Sequence, residues 1–191
     1  MREPTTRYVL LGMLANWDGM TGFEIRKVID GSVRHFWRES FGQIYPELKR
    51  LAEEGLIKPA SRKGRTRDAQ PWRITAAGRA ALSEWLMRPP QELLVRDELG
   101  LKLFFAGHAP EGVARALIEA TRQTTLTQLA YFLEAEKEAL GESDNPALPG
   151  AILLLDRGII AARARIEWCD HALGLLDAWE KGGEAMLRKR R

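Results

Sequence analysis

Apolar positions three and four residues apart run through the first sixty residues, a spacing typical of helices with one buried face. The spacing predicts a first helix from near Thr6, a second that ends at Gly31 and a third over residues 41–55. The predicted buried residues are Leu10, Met13, Leu14 and Trp17 in the first helix, Phe23, Ile25, Val28 and Ile29 in the second, and Ile44, Leu48 and Leu51 in the third.

Polar residues at the helix ends support these assignments. Thr21 with Glu24, and Ser40 with Gln43, have the spacing of capping boxes, in which the two side chains satisfy first-turn N–H groups. Pro46 cannot lie deep in a helix because it lacks an N–H group, so the third helix is predicted to begin nearer Gly42 than Ser40. Gly55 is predicted to end that helix in a left-handed conformation.

The pattern changes after Gly55 to that of a β-hairpin followed by a fourth helix. Residues 56–58 and 72–74 are predicted strands, and Thr75 is the predicted cap of a helix that Pro89 and Pro90 end. Three helices followed by a two-stranded hairpin is the order of a winged helix-turn-helix domain, in which the third helix contacts DNA bases.

The second half of the chain is predicted to be helical throughout. A short helix covers residues 97–106, and Pro110 suits the first position of a long helix that runs to about Leu140. Residues 141–150 have the composition of a linker, and a last helix is predicted over residues 151–181. The fold class is therefore mainly α, with a winged-helix domain at residues 1–88 and an all-helical domain at residues 89–191.

The last helix has the most regular apolar spacing in the chain. Its apolar residues advance by alternating steps of three and four, which is a heptad pattern and predicts left-handed packing against another long helix. We call this row the heptad seam; it consists of Ile152, Leu155, Ile159, Ala162, Ile166, Cys169, Leu173 and Leu176. Trp168, Leu175 and Trp179 are predicted to form a second apolar stripe beside it.

The charge distribution indicates an anionic partner for the first half. The net charge is only +3, but residues 1–88 carry 16 Lys and Arg against 10 Asp and Glu, and residues 89–191 carry 13 against 16. Within the hairpin, Lys58, Arg62, Lys63, Arg65 and Arg67 precede the first acid, Asp68. Such a basic run is either a solvated hairpin tip or a nucleic-acid contact, and its position after the third helix favours DNA.

The outer side of the third helix carries groups that can contact base edges and phosphates: Gln43, Tyr45, Pro46, Lys49 and Arg50 lie mostly off its apolar stripe. A single cysteine, Cys169, excludes an intramolecular disulfide and is typical of a cytoplasmic protein. No signal peptide and no membrane-spanning run are expected, so we expect no membrane partner.

Other chemistry is not indicated by the sequence. His35, His108 and His171 lie far apart without further ligands at metal spacing, and no nucleophile, phosphate-loop or paired-carboxylate motif is present. We therefore expect no metal, no cofactor and no enzymatic activity. Trp168 and Trp179 could sandwich a flat organic ligand, although core or dimer contacts are the more common role of aromatic residues at helical spacing.

Several of these segments resemble the PadR family of bacterial transcriptional regulators. They are YVLLGMLA (8–15), TGFEIRKVI (21–29), FW (36–37), SFGQIYPELKRLAEEGLI (40–57) and WRITAAGRAALSEWL (72–86). The second half, with RDELGLKLFFAG (96–107) and two long helices, resembles the larger C-terminal dimerisation domain of a virulence-activator-like subfamily.

The resemblance implies a homodimer, a palindromic operator, repression relieved by a small molecule or stress signal, and no catalysis. It assigns DNA contacts to Ser40, Gln43, Tyr45, Pro46 and Lys49 in the third helix, and to Arg62, Lys63, Arg65 and Arg67 in the hairpin. It also makes a second subunit the favoured partner of the heptad seam, although the helix near residues 111–140 could share the contact. Effectors of the family bind near the dimer interface, which makes Trp168 and Trp179 the ligand candidates.

Two other functions stay open on the sequence alone. The first is a winged-helix module that binds protein instead of DNA, against which the basic hairpin argues. The second is an enzyme with an appended helical domain, which lacks any catalytic motif. The operator sequence, the effector, the regulated genes and the choice between repression and activation are not encoded in any recognisable motif.

Overall fold

The computed structural model describes residues 5–31, 41–60, 70–90, 96–141 and 145–182. They belong to two compact units, Met1–Glu92 and Leu93–Arg191. The domain boundary predicted after residue 88 lies inside the first unit, a few residues before its end. Each unit is described by itself below.

The first unit has the predicted order of three helices, a hairpin and a fourth helix. Its helices are α1 (Thr6–Asn16), α2 (Gly22–Gly31), α3 (Ile44–Glu53) and α4 (Ala76–Leu86). Its strands are β1 (Met20–Thr21), β2 (Ile57–Pro59) and β3 (Pro71–Ile74). The winged-helix architecture predicted from the apolar spacing is thereby confirmed.

The three strands form one antiparallel sheet in the order β1-β3-β2. Strand β2 pairs with β3, and Ile57 lies opposite Ile74. Strand β1 also pairs with β3, and Met20 lies opposite Trp72. Strand β1 was not expected, because two residues are too few to show the alternating pattern of a strand. Its pairing depends on a partner about fifty residues further along the chain.

The core of the first unit lies between α1, α2, α3, α4 and the sheet. The Tyr8 ring stacks on the Trp85 ring, with 4.7 Å between the centroids, so the first and last helices of the unit are joined. Each fully buried Leu or Ile contributes about 1.5–3 kcal/mol to stability through removal of apolar surface from water. The most completely buried side chains are Leu10, Leu11, Leu14, Ile25, Leu51 and Ile57.

The helix and turn signals in this unit have the predicted geometry at three places. The Glu24 carboxylate accepts from the Thr21 N–H at 2.8 Å, and the Thr21 hydroxyl accepts from the Glu24 N–H at 3.2 Å, which confirms that capping box. Gly55 has a φ of +71°, as predicted for the end of α3. The Thr75 hydroxyl caps α4 by accepting from the Gly78 N–H at 3.1 Å.

The second unit is helical in every segment that the structure describes. It contains α5 (Glu98–Phe104), a 3-10 turn (Ala106–His108), α6 (Val113–Leu140) and α7 (Leu148–Gly182). The prediction that Pro110 opens the long helix is wrong. Gly112 has a φ of +83°, so the chain turns after Pro110 and α6 begins only at Val113. Helix α7 begins inside the segment predicted as a linker.

Helices α6 and α7 pack against each other in antiparallel directions. Arg115, near the start of α6, forms a 2.5 Å ion pair with Asp177, and Arg122 forms a 2.6 Å ion pair with Asp170. Further along α6, the Phe132 ring packs against Gly158 of α7, so closely that a Cβ atom added to Gly158 would lie 2.9 Å from the ring. The buried residues of α6 recur every seven positions along this contact; they are Ile118, Thr125 and Phe132.

Within the described ranges, no helix is long and apolar enough to span a membrane.

Candidate nucleic-acid interface

Helix α3 is preceded by a 3-10 turn at Phe41–Gln43 and becomes regular at Ile44. Pro46 therefore lies in the first turn, where the missing N–H group costs no helical hydrogen bond. As the residue before α3, Gln43 makes no side-chain capping bond, and its part in the second predicted capping box, a bond to the Ser40 N–H, stays a prediction. Ser40, the other half, lies outside the described residues.

The two sides of α3 differ sharply in burial. Ile44, Leu48 and Leu51 are buried in the core, as predicted. The opposite side exposes the amide, phenol and ammonium groups that were singled out as base and phosphate contacts. The exposed residues are Gln43, Tyr45, Pro46, Lys49 and Arg50. The helix thus has one side held by the domain and one side open to a partner.

Glu47 is a buried acid on α3 that the sequence interpretation did not single out. It lies three residues after Ile44, on the buried side of the helix. Its position within the apolar stripe is the feature of the sequence that indicates this burial. The Arg50 guanidinium lies 3.4 Å from its carboxylate one turn further along. This pair joins the buried side of α3 to its exposed side.

A second ion pair ties α3 to the first helix. The Arg7 guanidinium of α1 donates a hydrogen bond to the Glu54 carboxylate, just past the end of α3. Partial burial lowers the pKa of Arg7, but the bond and charge of Glu54 outweigh it, so the pKa is raised overall. Because Arg7 and Glu54 are far apart in sequence, this contact helps to set the orientation of α3 on the domain.

The basic hairpin is described only at its base. Strands β2 and β3 confirm that a hairpin is present, and Lys58 on β2 is exposed. The loop cations predicted to contact DNA lie outside the described residues; they are Arg62, Lys63, Arg65 and Arg67.

Every residue of the heptad seam of α7 is buried or half-buried within one chain. Leu155, Ile159 and Cys169 are buried, and packing against α6 accounts for their burial. The other seam residues assigned to a dimer contact are half-buried: Ile152, Ile166, Leu173 and Leu176. The expected partner helix is therefore supplied at least in part by α6. Contact of the seam with a second subunit stays a prediction.

Trp168 and Trp179 are both substantially exposed on α7. They are eleven residues apart, which corresponds to about 16 Å along a helix axis. A flat ligand sandwiched between two rings needs a gap of only about 7–8 Å, since stacked carbon atoms lie about 3.5–4 Å apart, and this is about half the separation of the two residues along one helix. Any joint role in ligand binding would require a ring from a second chain.

The described residues contain no cluster of three or more His, Cys, Asp or Glu side chains that could hold a metal ion. Burial raises the pKa of the Cys169 thiol, which disfavours the reactive thiolate. Cys169 therefore serves as a small apolar group in the packing of α7.

A domain in which the third helix has a polar exposed side and precedes an antiparallel hairpin belongs to the winged-helix class of DNA-binding proteins. Residues 10–84 match the model of the transcriptional regulator PadR-like family, and residues 95–177 match the model described as virulence activator alpha C-term. The chain belongs to the PadR-like family of transcriptional regulators, with a C-terminal region of the virulence-activator type. Since this family consists of transcriptional regulators, the chain is not an enzyme.

Known proteins resemble the chain along nearly its whole length. The negative transcriptional regulator PadR of Bacillus subtilis is 28% identical over 178 residues, which cover 90% of this chain and 97% of the relative. The crystal structure of B. subtilis PadR in complex with operator DNA aligns with a TM-score of 0.80 at 23% identity, over 92% of this chain and 99% of that chain. The crystal structure of the same protein in complex with p-coumaric acid aligns with a TM-score of 0.75 at 26% identity, over 91% of this chain and 99% of that chain.

Proposed function

We propose that this regulator is a homodimeric repressor that binds palindromic operator DNA in the cytoplasm and releases it in response to a small molecule or stress signal. In each subunit α3 enters a major groove, and the basic hairpin lies along the DNA backbone. The contacts to bases and phosphates come from Ser40, Gln43, Tyr45, Pro46 and Lys49, and from Arg62, Lys63, Arg65 and Arg67 in the hairpin loop.

The observation that carries the proposal is the two-sided burial of α3. Its apolar side is buried, and its other side exposes Gln43, Tyr45 and Lys49 together. An amide can bond the edge of adenine, an ammonium can bond guanine or a phosphate, and a phenol can bond a phosphate. The ion pair of Arg7 with Glu54 restrains the helix that presents these groups.

The exposed side of α7 supports a homodimer. Leu153, Ile160, Trp168 and Trp179 are all exposed, and at 3.6 residues per turn their positions fall within about 100° around the helix axis. They therefore lie along the same side of α7, as a long apolar stripe that one chain leaves in water. A second copy of α7 would cover this stripe, which lies on the other side of the helix from the heptad seam.

A dimer matters for DNA binding because it holds two recognition helices at one separation. Operator half-sites must match that separation, and the second half-site then binds at a high effective concentration. A ligand that binds one packing arrangement of the dimer better than another would shift the population between them and change the affinity for the operator.

The repressor and effector parts of the proposal are supported by the relatives. The B. subtilis relative is named a negative transcriptional regulator, and its structure is known with p-coumaric acid. An effector of this chain is proposed to bind where Trp168 or Trp179 of one subunit meets the other subunit. Only there could two tryptophan rings face the same molecule.

The test is recovery and sequencing of the DNA that the purified full chain retains from its own genome. We expect a short sequence with two-fold symmetry, bound far more tightly than a scrambled duplex, with affinity that falls steeply as salt increases. Equal, weak binding to all duplexes with a shallow salt dependence would reject the proposal and favour a module that binds protein.

A further inference from the structure

Phe23 is exposed although its position was predicted to be on the buried side of α2. Its side chain is 67% exposed, whereas Ile25 and Ile29 of the same helix are buried in the core. A single exposed apolar residue is common on protein surfaces and needs no special role. Its surroundings, however, distinguish Phe23 from an isolated exposed residue.

Phe23 shares a surface cleft with the outer side of α3. The cleft has a volume of about 570 Å³ and is bordered by Phe23 at the start of α2, by Tyr45, Lys49 and Ala52 of α3, and by Trp72 of β3. We call it the aromatic cleft. Phe23 and Tyr45 are the exposed aromatic residues among those that the structure describes in the first unit, and both line this cleft.

The rings at the cleft are held in place by the backbone around them. Phe23 lies between Thr21 and Glu24, whose capping box fixes the first turn of α2. The Tyr45 ring lies over Gly22, so closely that a Cβ atom there would be 2.7 Å from its Cε1 atom. Phe23 is therefore presented from an ordered turn, beside the recognition helix.

The charges at the rim indicate what the cleft can bind. Lys49 is 82% exposed at the side chain, and its ammonium lies 3.9 Å from the Glu53 carboxylate one turn further along α3. A phosphate inside the cleft would face the Glu53 carboxylate and several apolar side chains. The edge of a base fits these walls better, and the apolar feature of a base edge in the major groove is the thymine methyl group.

We propose that Phe23, with Tyr45, contacts the methyl group of a thymine in each operator half-site and so selects that base. The inference rests on the proposed function, because it places the outer side of α3 in the major groove. It assigns the selection of a DNA base to α2 as well as to α3, since Phe23 in the first turn of α2 borders the aromatic cleft beside α3.

The test replaces each thymine of the operator by deoxyuridine, which removes one methyl group and keeps every hydrogen-bonding atom. For the unchanged protein we expect one position in each half-site where the exchange weakens binding about fourfold, as estimated from the loss of one buried methyl group. Phe23→Ala should bind the thymine and deoxyuridine duplexes equally at that position. Leu86→Ala is the matched control, because Leu86 is also 67% exposed but does not line the cleft.

The outcomes separate this inference from the proposed function. Specific operator binding with no deoxyuridine effect at any position would overturn the inference and leave the proposed function standing. A deoxyuridine effect that persists in Phe23→Ala would assign the methyl contact to another residue and also overturn it. Failure of the unchanged protein to distinguish its operator from scrambled DNA would instead reject the proposed function. Circular dichroism of both variants establishes that they are folded.

Discussion

The two units of the chain differ in how much apolar surface they bury within one chain. Among the described residues, the first unit has thirteen buried apolar side chains and four large exposed ones. The second unit has six buried and ten large exposed ones, including Phe104, Ile160 and Trp179. The first unit therefore has a closed core, whereas in the second more large apolar side chains are exposed than are buried.

The difference follows from the number of elements packed around each core. In the first unit, helices from both ends of the segment and a three-stranded sheet surround the same apolar residues. In the second, α7 packs mainly on α6, and a pair of helices covers only one side of each. The first unit therefore has a core that is complete within one chain, and the exposed apolar side chains of the second support the proposal that a partner completes it.

The largest effect is expected from two neighbouring residues of α7. Ile159 is 4% exposed and Ile160 is 58% exposed, so the two side chains lie on different sides of one helix. Ile159→Asp should bury a carboxylate and cost more than about 4 kcal/mol, which unfolds the pairing of α6 and α7. Ile160→Asp should keep that pairing and dissociate the dimer.

Circular dichroism and sedimentation distinguish the two variants. A loss of helical signal is expected for Ile159→Asp and a folded monomer for Ile160→Asp. An Ile160→Asp variant that stays dimeric and binds operator normally would place the subunit interface elsewhere on the chain.

The closed core of the first unit is tested by Leu14→Ala. Leu14 is fully buried, so the variant should lose about 2–5 kcal/mol of the free energy of unfolding. Urea denaturation should give the same loss at all protein concentrations, because no subunit contact is involved. A loss that depends on concentration would contradict the view that this unit is stable by itself.

The exposed side of α3 is tested by Tyr45→Ala. The variant should weaken operator binding by about 1–3 kcal/mol if the ring contacts a base or an ordered phosphate. Binding to the operator and to scrambled DNA is measured for both proteins. Equal losses on the two duplexes would make Tyr45 a positioning residue, and no loss on either would contradict the assignment of α3 as the recognition helix.

The hairpin is tested by neutralising Arg65 and Arg67 together. Binding to all duplexes should weaken, and the slope of log affinity against log salt should fall by roughly one for each lost phosphate contact. Neutralising Arg163 and Lys181, both exposed on α7 and outside its exposed apolar stripe, is a control with the same change in net charge. An equal change of slope in both variants would show a general charge effect without hairpin contact.

The smallest effect is expected for the ion pair between α1 and α3. Glu54→Gln removes the acceptor of Arg7 and should cost about 0.5–1 kcal/mol of the free energy of unfolding, since Glu54 is partly exposed. Glu53→Gln is the matched control, because its partner Lys49 lies on the same helix. Equal unfolding midpoints in urea for the two variants would remove the role proposed for Arg7 in holding α3.

The two units also differ in which of their helix ends could be predicted from the sequence. Local signals were sufficient for the helix ends, as the capping box of Thr21 and Glu24 and the turn at Gly55 show. They failed at Pro110, where the left-handed turn at Gly112 delays the start of α6. A proline is compatible with the first helical turn but does not require a helix to begin there.

By itself, the sequence determined the winged-helix order, the buried stripe of α3 and the heptad seam of α7, because each depends on periodic spacing within one element. Only the tertiary structure decided that Phe23 is exposed, that Glu47 is buried, that β1 pairs with β3, and that the seam packs on α6. These features depend on which distant segment covers a given face. Periodicity shows that a face is apolar, but the contacts that cover it come from other parts of the chain or from a second copy.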